Sequence, residues 1–495
     1  MEVLDLLDSF LPQLLLILFA LIMPALDYAF KDKRVLAFAA LAPLLGYAFA
    51  LVTWLIGDYW QPPSADMGIP LIEVNLFSGA FALAFVSVGI IVVLSSPEFI
   101  KAERNHGEYY SLVLLAVTGM TVVALATDLI VLFVGLEIAG IASFALSGFS
   151  KREKRSAEAA TKYFIVGGFS SALTLFAISL LYGVSGTTEI AAMGPQMEAM
   201  FSSIDGLRSA ATLATVMLIA GLGFKIAAVP FHMWAPDVYE GAPTPISGLL
   251  AAASKKMGVA AMFKIFLVGI IVTKADWDVA IGIIAIVTMT VGNLIAVSQS
   301  NIKRMLAYSS IAQAGYILMV LPIGTEYAVA GGLFHVLTHA FMKSGAFMVV
   351  AALTIRGIGE KLDDFKGLGK RSPFLAFAMA IFLLSLAGIP PLAGFASKFV
   401  LFSSAVYASI DPGPSWLLWL AVAGVLNSAL SLYYYARVIK RMYMEKGPEE
   451  RIAVPRMTGI AIAIALVMTV VLGIYFDAVV ELCQEAASQL FQTVP

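Results

Sequence analysis

An all-α protein that crosses a membrane about fourteen times is the fold this sequence predicts, and three observations carry the prediction. Of 495 residues, 60% are apolar and only 13% are charged, where soluble globular chains are roughly 45–50% apolar and about 25% charged. Apolar runs of the roughly 20 residues that a membrane helix needs recur along the whole chain. Lysine and arginine gather in alternate loops between those runs, the bias that marks cytoplasmic loops. The same composition excludes other classes. A net charge of −2 leaves no basic excess for nucleic-acid phosphate. The single cysteine, Cys483, excludes a disulfide framework, an iron–sulfur cluster or a cysteine zinc site carried by this chain alone. Four histidines leave little room for a haem or metal centre.

The fourteen runs fall near 9–30, 35–56, 75–96, 109–127, 129–149, 159–182, 209–239, 244–271, 277–299, 307–323, 327–353, 374–408, 415–441 and 457–480. They form one integral membrane domain over 1–495. Spans 1–3 occupy 1–108, one five-helix unit 109–271, a second 277–441, and span 14 lies within 457–482. The first run opens on the acidic MEVLDLLD, lacks a basic n-region and is long enough to span, so it reads as a helix rather than a signal peptide. The longest loops are 57–74 and 183–207.

Loops after odd-numbered spans hold the basic residues, among them Lys31, Lys101, Lys151, Arg155, Lys303, Arg304, Arg356, Lys366, Arg437 and Arg441. The opposite loops hold only Arg208 and Lys274, beside acids such as Asp58, Asp66, Glu189 and Asp411. The basic loops are expected in the cytoplasm and both termini outside, in a prokaryotic cell membrane.

Six lysines remain inside the spans: Lys225, Lys255, Lys256, Lys264, Lys343 and Lys398. Glu137 is the carboxylate in mid-span, about 13 Å into span 5 at 1.5 Å per residue. An ionisable group at that depth costs at least about 2.5 kcal/mol, so it pairs or lines a water-filled path. Burial disfavours the charged form of a lysine and a nearby carboxylate favours it, so moving the carboxylate drives proton release. A row of such groups is a physical proton relay. A structural ion pair or a snorkelling side chain is the alternative at each one, most of all for Lys264 near the outer end of span 8. Lys255 and Lys256 point about 100° apart on a helix, so only one of them is expected on a central file.

Two spans carry breaks. Span 7 reads GFKIAAVPFHMWAPDVYEGAP, with Pro230 after Lys225, and span 12 reads LAGIPPLAGFASKFVLF, with Pro390 and Pro391 before Lys398. Proline removes a backbone donor, and carbonyls freed inside a membrane are tolerated only against protein or water. Transporters use such interruptions at midplane sites. The broken spans are five apart, which divides the chain into spans 4–8 and 9–13. Five is odd, so the second unit is expected to have inverted topology.

In span 11, FHVLTHAFMKSGAF places His335, His339 and Lys343 at i, i+4 and i+8, on one face. That suits proton transfer; a packed structural pair is the alternative. Zinc lacks a third ligand and the metalloprotease glutamate. His232 beside Pro230 is a relay member or a partner for the helix break. Asp237 and Glu240 form a proton funnel or cap the next helix. His106 is expected in solvent.

The stretches GFKIAAVPFHMWAPDVYEGAPTPISGLLAAASK, SNIKRMLAYSSIAQAGYILM, FHVLTHAFMKSGAF, DDFKGLGKRSPF and SLAGIPPLAGFASKF, with Glu137 in LFVGLEI, resemble the antiporter-like membrane subunits of respiratory complex I, most of all the subunit N group of NADH-quinone oxidoreductases. The resemblance implies a proton-translocating, non-redox subunit with helices 4–8 and 9–13 as inverted half-channels. It implies that Glu137 pairs with Lys225, that Lys255 is the central lysine and that Lys398 stands near the outer exit. From their own positions in the spans, Lys256, His232, His335, His339 and Lys343 are expected as secondary relay members. The lysine at 398 favours subunit N or L over M, and the chain ends soon after span 14, without the long lateral helix of L. The resemblance implies no cofactor on this chain. Flavin, iron–sulfur clusters and quinone or methanophenazine would sit in partner subunits, among further antiporter-like subunits of one membrane arm. The donor is left open among NADH, ferredoxin and reduced deazaflavin. Competing readings are a sodium/proton antiporter subunit, which would need a cation site of oxygen ligands, a structural subunit that transports nothing, and a stand-alone transporter of organic solutes.

Overall fold

The computed structural model describes residues 3–57, 71–203, 206–410 and 413–492. Among them there is no strand, only the isolated bridges Ile72–Ala126, Asp128–Glu189 and Asn301–Lys361. Three helices open the chain: α1 Val3–Ala29, α2 Arg34–Gly57 and α3 Leu76–Phe99. Most of the long loop expected over 57–74 lies outside the described residues. Next come α4 His106–Leu125, α5 Leu129–Ser147, α6 Lys154–Ser185, α7 Ile190–Phe201, α8 Leu207–Ile226, α9 Trp234–Gly241, α10 Thr244–Leu249 and α11 Lys255–Lys264. The segments Leu250–Ser254 and Ile265–Gly269 are π-helical, so α10 and α11 belong to one irregular helix. The second half contains α12 Lys274–Ser298, α13 Ile302–Leu318, α14 Val320–Ile323, α15 Glu326–Ile355, α16 Leu368–Arg371, α17 Pro373–Ala387, α18 Ala393–Ala408 and α19 Leu418–Met444. Helices α20 Arg456–Ile474 and α21 Phe476–Gln492 close the chain.

Twelve helical stretches among the described residues are long and apolar enough to cross a membrane. The other two predicted runs are helical but interrupted. The run 244–271 contains α10, α11 and the two π segments, and 374–408 splits into the shorter apolar helices α17 and α18. Exposed side chains such as Leu21, Phe169 and Trp419 cover the outside of the bundle, as a lipid-facing surface requires.

Three expectations change. The loop 183–207 contains α7. The run 457–480 stops at Ile474, and α21 follows as an amphipathic helix that buries Cys483, Ala486, Ala487 and Leu490. That face has helical spacing, but Glu481, Gln484 and Glu485 on the other side dilute the hydropathy. His106 is buried, with Nε2 3.0 Å from Glu103 O, rather than solvated.

The two halves repeat a local geometry. Leu129 N donates to Thr188 O and Ile190 N to Thr127 O, while Ile302 N donates to Glu360 O and Leu362 N to Ser300 O. The Asp128 carboxylate caps α5 by accepting from Ile130 N and Val131 N. Asn301 caps α13 by accepting from Lys303 N and Arg304 N, and such caps satisfy helix-end donors. The offset is 173 residues for the capping segments (301 − 128; 303 − 130) and 172 for the segments they pair with (360 − 188; 362 − 190). The 173-residue offset also relates Gly119 to Gly292. A Cβ on Gly119 would stand 2.4 Å from Ala139 N, and one on Gly292 2.7 Å from Ala312 N, so each glycine lets two helix backbones meet.

At the centre lies α15, buried without interruption from Ala328 to Leu353. Polar groups on such a helix must find partners inside the protein.

Candidate site of buried ionisable groups

Glu137 is the ninth residue of α5. Its Oε1 accepts from Ser171 Oγ of α6 at 2.5 Å and from Lys225 Nζ of α8 at 3.4 Å. The lysine side chain is 5% exposed and the glutamate 25%. Gly140 makes room for the pair, since a Cβ there would come within 3.2 Å of Lys225 Nζ. Lys225 belongs to the last turn of α8, just before the break at 227–233. The chain turns out of α8 through Ala227, at φ +55°. A non-glycine residue rarely adopts that left-handed conformation. Beyond it, Val229 N donates to Thr288 Oγ1 at 3.0 Å. His232 Nδ1 is buried without a partner among the described residues, and His232 lies within electrostatic range of Lys255.

Lys255 and Lys256 are both buried, and neither Nζ has a hydrogen-bond partner among the described residues. Lys255 Nζ stands 5.1 Å from the centre of the Tyr239 ring. Lys255, Lys256, Lys343 and His335 all lie within electrostatic range of His339. Both adjacent lysines are thus inside the bundle, 1% and 0% exposed.

On α15, His335 is held on both sides. Its Nδ1 is 3.0 Å from Ser397 Oγ and its Nε2 2.9 Å from Gln313 Oε1. His339, its ring centre 6.0 Å from that of His335, has no partner on either nitrogen among the described residues. Lys343 Nζ donates to Ser309 Oγ at 2.7 Å and Leu306 O at 3.2 Å. Ser309 also hydrogen-bonds Tyr435.

Lys398 lies just past the second break, in α18. Its Nζ donates to Leu386 O at 2.7 Å, a carbonyl freed at the end of α17, and to Ser428 Oγ at 3.0 Å. It stands 4.9 Å from the Tyr316 ring centre. Gln313 Nε2 donates to the same Leu386 O at 3.2 Å. Gln313 therefore joins His335 to the carbonyl that holds Lys398.

Lys264 behaves differently. Its Nζ donates to Ala124 O at 2.5 Å and Ala126 O at 2.7 Å, at the end of α4. The 173-residue offset carries Lys264 to Arg437 and Ala126 to Gln299 (437 − 264; 299 − 126), and Arg437 Nη2 donates to Gln299 O at 2.6 Å. Two cations thus cap the C-terminal ends of corresponding helices, where carbonyls lack partners and the helix dipole favours positive charge.

On the basic face, Arg304 Nη1 reaches Asp237 at 2.9 Å and Glu240 at 2.8 Å, and Lys162 reaches Asp237 at 2.7 Å. Lys303, buried, bonds Glu240 O at 2.8 Å and Ala242 O at 2.9 Å and pairs with Glu360 at 3.3 Å. Asp237 and Glu240 thus tie α9 to α6 and α13. Among the described residues no group of three or more His, Cys, Asp or Glu is placed to hold a metal.

Sequence reasoning singled out the titratable groups and missed the neutral connectors Ser171, Gln313, Ser397 and Ser428. Gln313 in SSIAQAGY was the legible one, an amide in mid-span that must be satisfied internally. Lys303 was also missed, because its place at the start of α13 resembles a loop cation.

A family model described as NADH:quinone oxidoreductase/Mrp antiporter, transmembrane, matches residues 126–431. F(420)H(2) dehydrogenase subunit N of Methanosarcina mazei is 45% identical over 85% of both chains. NADH-quinone oxidoreductase subunit N of Trichlorobacter lovleyi is 40% identical over 92% of this chain and 91% of its own. A chain of respiratory complex I from Thermus thermophilus superposes with TM-score 0.76 at 29% identity, covering 95% of this chain and 98% of that one. A chain of an archaeal membrane-bound sulfane sulfur reductase gives 0.85 at 27%, covering 98% and 99%.

Proposed function

Since the chain belongs to the NADH:quinone oxidoreductase/Mrp antiporter transmembrane family, we propose that it is a proton-translocating membrane subunit of a complex I-type respiratory dehydrogenase. The observation that carries this reading is the row of buried groups from Glu137–Lys225 through Lys255, Lys256, His339 and His335 to Lys398, with Gln313 between the last two. Redox chemistry belongs to partner subunits, which hold the flavin, the iron–sulfur clusters and the quinone or methanophenazine site. This chain contributes no electron carrier; it contributes side chains that hold protons.

Protons are taken up on the basic face, the cytoplasmic one, and load Lys255 and its neighbours. They pass by the α15 histidines to Lys398 and leave on the opposite face, where both termini lie. The Glu137–Lys225 pair opens or closes with redox events next door. An ammonium whose carboxylate moves away has less reason to keep its proton. The units 109–271 and 277–441 are inverted repeats, a reading supported by the register at which their caps, cross-links and glycines correspond.

The experiment is to reconstitute the assembled complex in liposomes with Lys225→Ala or Glu137→Ala in this subunit and count protons translocated per electron. A reduced ratio is expected. The wild-type ratio in both variants would overturn the relay.

A further inference from the structure

Lys343 is buried on α15, yet the row from Lys225 to Lys398 does not pass through it. What sets it apart is the kind of partner it has. An ammonium only donates hydrogen bonds, whereas a neutral amine has a lone pair that takes a donor. The partners of the other bonded lysines in the spans only accept. Lys264 is held by two carbonyl oxygens and Lys225 by the Glu137 carboxylate. Lys398 is held by Leu386 O and by Ser428 Oγ, and Ser428 gives its own proton to Ala387 O at 2.9 Å. Each of these sites suits an ammonium and offers an amine no donor.

Lys343 Nζ donates to Leu306 O at 3.2 Å and to Ser309 Oγ at 2.7 Å. Ser309 in turn is bonded to the Tyr435 hydroxyl of α19, and either oxygen can be the donor. With an ammonium at 343, Ser309 accepts from it and donates to Tyr435. With an amine, Tyr435 donates to Ser309 and Ser309 donates to Nζ. The two hydroxyls satisfy both states by turning round, with no shift of the backbone. Both residues are fully buried. The 173-residue offset puts Leu136 and Met262 at their places in the first half (309 − 136; 435 − 262), so the fold itself does not need hydroxyls there.

The groups that face Lys343 electrostatically are Lys255, Lys256, Lys398 and His339, and none of them carries a negative charge. His339 stands one turn away on the same face of α15, with neither ring nitrogen bonded among the described residues.

We propose that Lys343, Ser309 and Tyr435 form a proton-storage station beside the row, loaded and emptied through His339. The proposal rests on the relay reading above. Loading breaks an N–H bond of the His339 imidazolium and forms one at the Lys343 amine; emptying reverses both. The hydroxyls change direction and keep their own protons. Lys343 holds the stored proton, and Ser309 and Tyr435 are positioning residues. A full station disfavours further protons on the neighbouring lysines and so pushes the protons of the row toward release.

The test uses the assembled complex in liposomes, with protons per electron and the pH profile of pumping as readouts. Lys343→Met should lower the ratio. Ser309→Ala takes an acceptor from the ammonium and a donor from the amine. The charge-assisted bond is roughly twice as strong, so the station fills only at higher proton concentration, and the alkaline limb of the profile moves down by about one pH unit. Tyr435→Phe leaves Ser309 to turn its hydroxyl to a carbonyl of its own helix. Ser309 then only accepts, the amine loses its donor, and the limb moves up by about one unit. Ser309→Thr, which keeps the hydroxyl, should restore the profile. If Tyr435→Phe does not assemble, Ser309→Ala and its rescue by Ser309→Thr decide. Shifts in the same direction, or no shift in either variant, overturn the hydroxyl switch. A wild-type ratio in Lys343→Met, with pumping lost in Lys255→Met, overturns the station and leaves the relay standing. A wild-type ratio in both overturns the relay itself.

Discussion

Replacing Glu137 with glutamine removes the carboxylate that faces Lys225 while keeping the shape of the side chain and an acceptor for Ser171. At 3.4 Å and an effective dielectric of about 20, the lost attraction is roughly 5 kcal/mol. Water reaching the quarter-exposed glutamate lowers that figure. Removing one partner of a buried pair costs about 3–5 kcal/mol, because the other charge is left uncompensated. In Glu137→Gln the ammonium is left with the amide and the Phe144 ring at 5.9 Å, and neither replaces a carboxylate. Lys225→Met is the milder change, since Glu137 keeps Ser171 and its access to water. The two single variants should therefore differ: both lose coupled pumping, and Glu137→Gln also loses more thermal stability. The double variant should recover stability without recovering pumping, because it buries no lone charge and still has no switch. Protons per electron in liposomes and thermal inactivation of the complex measure the two effects. Wild-type pumping in both single variants, or stability losses that simply add in the double, would refute the reasoning.

Gln313→Leu should cut the link between His335 and Leu386 O and lower the proton-to-electron ratio, while Gln313→Glu, which keeps the acceptor for His335 and when protonated can donate to Leu386 O, should retain more of it. Gly119→Ala and Gly292→Ala should each destabilise the fold by about 1–3 kcal/mol, the usual cost of overpacking, because a Cβ at either site meets backbone within 2.7 Å; thermal inactivation of the complex would show it. Lys264→Met and Arg437→Met should lower thermal stability and leave the proton ratio unchanged, with Lys264→Arg close to wild type. A lowered ratio in Lys264→Met at full stability would make Lys264 part of the relay instead of a cap.

Almost all of the membrane architecture was legible because hydrocarbon admits few solutions: a helix must be long and apolar, and basic loops fall on one side. The breaks were legible for the same reason, since Pro230 and Pro390–Pro391 remove donors where water cannot replace them. What the hydropathy signal hid were helices that lie against the bundle without needing to be apolar, namely α7 and α21. In the candidate site, charge was visible and neutral connection was not. Lys225 and Glu137 are costly in mid-span and so announce themselves. Ser171, Ser397 and Ser428 are cheap in any helix, and only their positions, within 3.0 Å of Glu137, His335 and Lys398, give them meaning. Lys264 shows the converse. A buried lysine reads as a relay member until its register partner Arg437 is found making the same bond to the corresponding carbonyl.

That register also exposes an asymmetry with a functional consequence. The 173-residue offset carries Glu137 to Ser310 and Lys255 to Ser428 (310 − 137; 428 − 255). The second half therefore has no carboxylate where the first has Glu137, and a hydroxyl where the first has its central lysine. That hydroxyl accepts from Lys398, so the cation of the second half is held by Ser428 and by carbonyls freed at the break between α17 and α18. The two halves thus hold a cation by different means. The first balances it against the formal charge of Glu137, so under the relay reading a field or a neighbouring charge that moved Glu137 would act on it. The second balances it against dipoles fixed by backbone geometry, so under the relay reading a shift of the ends of α17 and α18 would act on it. On the relay reading proposed above, one station would be sensitive to charge and one to conformation, with Gln313 connecting His335 to the carbonyl that holds Lys398. The first suits a signal arriving as charge from a redox partner, and the second suits a release step that should not reverse when that signal fades.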